Sequence, residues 1–251
     1  MRGIVKTYLS EKQYGFIKGD DGKDYFFHNS AFTNKNEFNK LCEGVYLQFE
    51  QKATPKGYSA VQIKLVEQNI IIGYEVPNEV YTSKNTDIKG WEVIELSNWI
   101  VHGSSRNSPD SAKEDMIDGA ELVGANTILN MQYYKTTGSE PGTGKGTHYY
   151  TIHNFRGRAA NIAKKSPNGQ YKIDDLRKIN SNAKALKMRL VDKTTSAKNK
   201  RMLFWLVIFI LISILWIFKK DIAIIGTIGL IILAFFLSHA TDYDSWLEEI
   251  K

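Results

Sequence analysis

Two uncharged apolar runs stand side by side near the C-terminal end, Met202–Phe218 and Ile222–Ser238, and only Lys219-Lys220-Asp221 separates them. Each run has 17 residues, about 25 Å as an α-helix, which is at the short end for a hydrocarbon core of about 30 Å. Trp205, Trp216, Lys219 and Lys220 extend the reach by interfacial anchoring and snorkelling. So short a link forces an antiparallel helical hairpin. A soluble domain of this size has no surface that could cover two helices apolar all round, so the hairpin is expected to lie in a bilayer. Gly226 and Gly229 share a face and should let the helices approach closely.

The charge of the chain is unevenly distributed along it. Residues 164–201 carry twelve Lys/Arg against three Asp/Glu, whereas residues 70–163 carry eight against eleven. The basic segment, with Arg189, Lys193, Lys198, Lys200 and Arg201, directly precedes the first apolar run. The positive-inside bias then places everything N-terminal to the hairpin in the cytoplasm. Two crossings bring the acidic segment 241–251 back to the same side, so the expected location is the inner (cytoplasmic) membrane. Lys219 and Lys220 weigh mildly against this orientation. The first residues, Met-Arg-Gly-Ile-Val-Lys, contain no apolar signal core, and no cleaved leader is expected. The single cysteine, Cys42, excludes an intrachain disulfide, fits a reducing compartment and reads as a buried thiol.

Residues 1–69 show period-two patterning in five short segments, near 3–9, 14–18, 24–28, 45–51 and 60–65, with the turn Gly19-Asp20-Asp21-Gly22-Lys23 joining the second and third. Five such strands suggest a small barrel. Tyr14 and Phe16 share one face of their strand; Phe26 and His28 share one face of the next, and Tyr25 and Phe27 the other. Only one face of a small barrel can be core. Either choice leaves aromatic rings outside on adjacent strands, and clustered exposed rings mark a binding surface. Flat rings beside Lys6, Lys12, Lys18 and Lys56 suit unpaired bases and their phosphates.

Lys12-Gln13-Tyr14-Gly15-Phe16-Ile17 resembles the first ribonucleoprotein motif of cold-shock domains, K-G-F-G-F-I, and Asp24-Tyr25-Phe26-Phe27-His28 resembles the second, D-V-F-V-H. Ser30-Ala31, Leu41, Glu43-Gly44, Phe49-Glu50 and Lys56-Gly57 fall where that family has S-A, L, E-G, F-E and K-G. The resemblance implies an OB-type barrel that binds single-stranded RNA or DNA with weak sequence preference. It also implies stacking by Tyr14, Phe16, Phe26, His28 and Phe38 with Tyr8 beside them, and backbone contacts by Lys6 and Lys12. The chain departs from the family at Thr7, Leu9, Gln13 and Asn29, where it has Trp, Asn, Gly and an aromatic. Two stacking positions are thereby lost, each worth about 1–3 kcal/mol. Binding is expected near the micromolar range, about −8 kcal/mol, or weaker.

Residues 70–163 read as an α+β unit: extended segments at 70–81 and 90–103, then a helix opened by Ser108 and Pro109 and stopped by Gly124, with Ser111 and Glu114 as an alternative capping box. Strands at 127–134 and 148–158 follow, joined by the Gly-rich loop 138–147. The run Ala120-Glu121-Leu122-Val123-Gly124-Ala125-Asn126-Thr127-Ile128 resembles the A-x-x-L-G-A-N-A-V segment of the YbjQ-like family, small bacterial domains of which some are called heavy-metal-binding and which tend to form rings of subunits. The resemblance implies a homo-oligomer, through residues 70–190. His148 and His153 have odd spacing and should face opposite sides of a strand, so no metal site or other cofactor is expected. The loop 142–147 is no phosphate loop, because Gly146 rather than Ser or Thr follows Lys145. The carboxylates of Asp110, Glu114, Asp115, Asp118 and Glu121 read as solvated, and no catalytic constellation is visible.

From Asp174-Asp175 onward, Ile173, Leu176, Ile179, Ala183, Leu186 and Leu190 follow helical spacing opposite Arg177, Lys178, Lys184, Lys187 and Arg189. Such a stalk suits packing between subunits, contact with an anionic leaflet, or phosphate contacts to RNA. The expected fold class is multidomain: an N-terminal all-β five-stranded OB-type barrel (1–69), a middle α+β domain (70–163), a basic amphipathic helix (164–201), a transmembrane hairpin (202–240, with helices 202–218 and 222–238) and an acidic cytoplasmic tail (241–251). The expected role is non-catalytic binding of single-stranded RNA or DNA at a lipid bilayer. The alternative is a membrane scaffold or sensor that oligomerises through the middle domain and uses the barrel to bind proteins.

Overall fold

A computed structural model describes residues 1–67, 72–142, 144, 146–218, 220–237 and 241–250. Strands β1 (Arg2–Leu9), β2 (Tyr14–Gly19), β3 (Asp24–His28), β4 (Tyr46–Thr54) and β5 (Gly57–Leu65) close a barrel in the order β1-β2-β3-β5-β4. The β3–β5 pair is parallel; the other pairs are antiparallel. The face left open by the sequence is now decided. Val5, Ile17, Tyr25, Phe27, Leu47, Phe49 and Ile63 point inward and form the core. Each large side chain so buried contributes about 1.5–3 kcal/mol. Cys42 belongs to this core, and burial pushes its thiol up to about 11.

The strands β6 (Gly73–Glu75), β7 (Tyr81–Thr82), β8 (Glu92–Ser105), β9 (Thr127–Pro141) and β10 (Thr147–Ser166) build a second sheet, covered by helix α1 (Pro109–Leu122). Ser108 caps α1, its Oγ accepting from the Ser111 amide at 3.0 Å, so the capping box at Ser111 does not form. Gly124 follows in the left-handed region at φ 78°. Ala112, Met116, Ala120 and Val123 bury the expected stripe, and Gly103 of β8 lets α1 press directly onto the sheet. The extended segment expected at 70–81 is reduced to β6 and β7; residues 70 and 71 lie outside the described ones. β9 and β10 run far past their expected ends, so Gly138–Pro141 is strand rather than loop. Thr143 and Lys145 of that loop lie outside the described residues.

Helix α2 (Ile179–Phe218) is one unbroken element from the basic segment into the first apolar run, and α3 (Lys220–Leu237) returns beside it. Asp174 and Asp175 do not start the helix; they sit in a 3-10 turn, Ile173–Leu176. The basic segment is also not a free stalk. Ile179 and Ala183 are fully buried with Trp99, Val101, Met116 and Ala120 in the core of the second sheet. The apolar part of α2 is long enough to cross a membrane by length and composition, with mean hydropathy 2.1 over its best window and almost none of it buried. Gly226 makes the expected close approach, against Leu215, whereas Gly229 faces open space. Trp216 Nε1 donates to Thr227 Oγ1 across the hairpin at 3.0 Å.

The acidic tail is the largest departure from expectation. Its residues Leu247–Glu249 form strand β11, which pairs antiparallel with β8 and completes a six-stranded sheet, β11-β8-β10-β9-β7 with β6 on β10.

Candidate nucleic-acid interface

Alternation on β2 and β3 turns Tyr14, Phe16, Phe26 and His28 outward once Ile17, Tyr25 and Phe27 have gone in. Register then sets the rows. Phe16 stands directly opposite Phe26, and Tyr14 opposite His28. The Phe16 and Phe26 ring centroids are 5.9 Å apart and edge-to-face; Tyr14 lies 5.7 Å from Phe26. Phe16 and Phe26 each keep 40% of their surface exposed, far more than a packed Phe would. Tyr14 is half-buried and His28 exposed, its Nδ1 accepting from the Ser30 amide at 3.2 Å.

The other expected residues are placed less uniformly. Phe38 sits half-buried on a 3-10 turn, Lys35–Lys40, rather than on a strand. Tyr8 does not join the outer row. A register shift between Val5 and Thr7 turns it toward the core edge, where its ring lies parallel to Phe27 at 6.0 Å. Its hydroxyl accepts from the Asn29 side-chain amide at 2.9 Å. Asn29 is therefore a buried support for Tyr8, and its Oδ1 has no partner among the described residues. Gln13, in the β1–β2 turn, sits at φ 57°, a conformation that favours glycine.

Lys12 and Lys56 are exposed. Lys6 and Lys18 are both drawn to one carboxylate: their Nζ atoms lie 2.8 and 3.4 Å from Asp24. The Lys6 hydrogen bond, with Lys18 beside it, holds the Asp24 carboxyl below its ordinary value. All three side chains are solvated, so a phosphate can displace the carboxylate at little cost. Tyr58 is an exposed ring that sequence patterning did not single out; it packs against Tyr25 and carries Lys23 over its face at 4.8 Å. Only the parallel β3–β5 pairing brings it there, and no local signal announces that.

The profile of the 'Cold-shock' DNA-binding domain family matches residues 1–66. A cold shock-like protein of Thermotoga maritima is 45% identical over 67 residues, which is 27% of this chain and all of that protein. The chain belongs to the cold-shock domain family through this N-terminal barrel. The retron Se72 cold shock-like protein of Salmonella heidelberg is 36% identical over 64 residues, 26% of this chain and 96% of its own length. The cold shock-like protein CspJ of Salmonella typhi is 45% identical over 62 residues, 24% and 87%. These similarities cover the N-terminal quarter of the chain.

In the second sheet, His153 Nδ1 lies 2.6 Å from the Tyr133 hydroxyl and His148 Nδ1 3.5 Å from Glu140, while His102 Nε2 lies 3.1 Å from Glu248. Among the described residues no three His, Cys, Asp or Glu side chains converge as metal ligands would.

Proposed function

We propose that this chain is a membrane-tethered, non-catalytic binder of single-stranded RNA or DNA. The carrying observation is the Phe16–Phe26 pair with Tyr14 and His28 on the outside of a cold-shock barrel. Successive bases stack on these rings, contributing about 1–3 kcal/mol each. Lys6, Lys12, Lys18 and Lys56 receive the phosphates, and Phe38 borders the path. Sequence is read weakly, because every base offers a flat face.

The hairpin α2–α3 holds the barrel at the inner membrane, with the barrel and the second sheet on the cytoplasmic side. This part of the reading is supported by the bare apolar surface of both helices, for example Phe209 at 70% exposure, and by the cations that precede it. The middle sheet, in the YbjQ-like reading, gathers copies into a homo-oligomer and so raises avidity for long strands. Fluorescence titration of the detergent-solubilised full chain with single-stranded and duplex oligonucleotides tests the central statement. Tighter binding to the single strand, at micromolar concentration, is expected. Equal binding to both, or none, removes it.

A further inference from the structure

The chain leaves the second sheet through α2 and comes back to the same stretch of α2 after both apolar helices. The Lys187 ammonium lies 2.8 Å from the Asp244 carboxylate and donates at 2.7 Å to the carbonyl oxygens of Asp244 and Leu247. The Thr194 hydroxyl donates to Asp244 Oδ1 at 2.8 Å and accepts the Tyr243 amide at 3.0 Å. Leu247 is fully buried among Trp99, Val101, Met116 and Ala120. The Trp246 indole covers Gly119 of α1, where an added Cβ would lie 2.9 Å from the ring. Backbone bonds Trp246 O to His102 N and Ile250 N to Asn98 O, each 2.8 Å, bracket β11 on the β8 edge. The segment is an integral part of the sheet, although Glu248 lies 146 positions along the chain from His102.

The geometry points to residues 241–250 as a topology lock: the second sheet is completed only in a chain whose apolar helices both cross the bilayer. The inference rests on the membrane reading of the hairpin and is independent of what the barrel binds. With one crossing, the segment would end on the far side of about 30 Å of hydrocarbon. The β8 edge would then show unpaired backbone groups from Asn98 to His102 and an open apolar slot where Leu247 belongs, a site for cleavage or strand addition. An incorrectly inserted chain is thereby distinguishable, from the cytoplasm, from a correct one. The two ends of the hairpin are also pinned together at Lys187 and Thr194, so the helices cannot separate at their base while β11 is seated.

The test places cysteines at Ile100→Cys and Glu248→Cys, directly opposed on β8 and β11, in the full chain in isolated membranes. The native Cys42 is buried and stays unreactive. A short bis-maleimide should link most of the chains. Deletion of residues 222–238, which leaves one crossing, should abolish the link and make the middle sheet sensitive to trypsin added from the cytoplasmic side. Absence of the link in the full chain, with the protein retained in the membrane pellet after alkaline carbonate, overturns the lock alone. An undiminished link in the deletion overturns it too. Release of the full chain by carbonate overturns the membrane reading and the lock with it. Oligonucleotide binding, measured on the same samples, follows neither outcome.

Discussion

Phe16 and Phe26 face each other across adjacent strands on the outside of the barrel, at 5.9 Å between ring centroids, while their neighbours Ile17 and Phe27 are sealed inside. The outer rings are not needed for the core. Replacing both, Phe16→Ala with Phe26→Ala, should therefore leave thermal stability within about 1 kcal/mol, as surface changes do. It should weaken binding of a single-stranded oligonucleotide by about 2–6 kcal/mol, two stacked bases' worth. Fluorescence titration beside a thermal melt reads both. Unchanged affinity with an unchanged melt would dispose of the platform.

Asp24 occupies Lys6 and Lys18, two of the four lysines proposed to meet phosphate. Asp24→Asn should release Lys6 and Lys18 and remove a charge that repels phosphate. Affinity at low salt should rise several-fold, and the slope of log K against log salt should steepen by about 0.7 for each cation recruited to a single strand. A salt series on the wild type and the variant measures this. Parallel lines would mean that these lysines never meet the backbone.

Gln13 is held at φ 57° by the turn between β1 and β2, with its carbonyl bonded to the Asn29 amide at 2.8 Å. The left-handed conformation costs a residue with a Cβ about 1–2 kcal/mol, and glycine escapes that cost. Gln13→Gly, the residue that the resemblance puts at this position, should raise stability by up to about 1 kcal/mol, since its freer unfolded chain takes part of the gain away. A denaturant midpoint that falls would show that the Gln13 side chain makes contacts that outweigh the strain.

Much of the barrel and the row of rings was readable from residue order, because each rests on short-range alternation: Asp24 to His28 spells out-in-out-in-out, and the structure keeps it. What escaped rests on distance or on weak pattern. The arm of β9 and β10 beyond Tyr134 alternates nothing, because Thr136, Thr137, Gly138 and Ser139 are exposed or half-exposed on both faces. Ile179 and Ala183 have the spacing of an amphipathic helix, and spacing alone cannot say that their apolar side enters a sheet core. β11 has three residues and a single buried side chain, Leu247, so no window contains enough of it to show a period. The register shift between Val5 and Thr7, which sets where the Tyr8 ring lies, has no local signal either.

Asp244 joins the returning segment to α2 through Lys187 first and Thr194 second, and these partners hold its carboxyl below the ordinary 3.8. A depressed acid stabilises the folded state at all pH above its unfolded value and loses that contribution as the pH falls through its lower, folded value. The contribution of Asp244 to the seating of β11 should thus be constant from neutrality to about 4 and fall at more acid pH. Asp244→Asn should abolish that step and lower stability at neutral pH, because Lys187 then faces an amide. The readout is protection of the β11 backbone amides from hydrogen exchange, followed from pH 7 to pH 3 with the intrinsic exchange rate at each pH divided out. A wild-type acid step that survives in Asp244→Asn would assign the titration to another carboxylate, and an Asn variant as stable as wild type at neutral pH would mean that the Lys187 ion pair does not hold the segment in place.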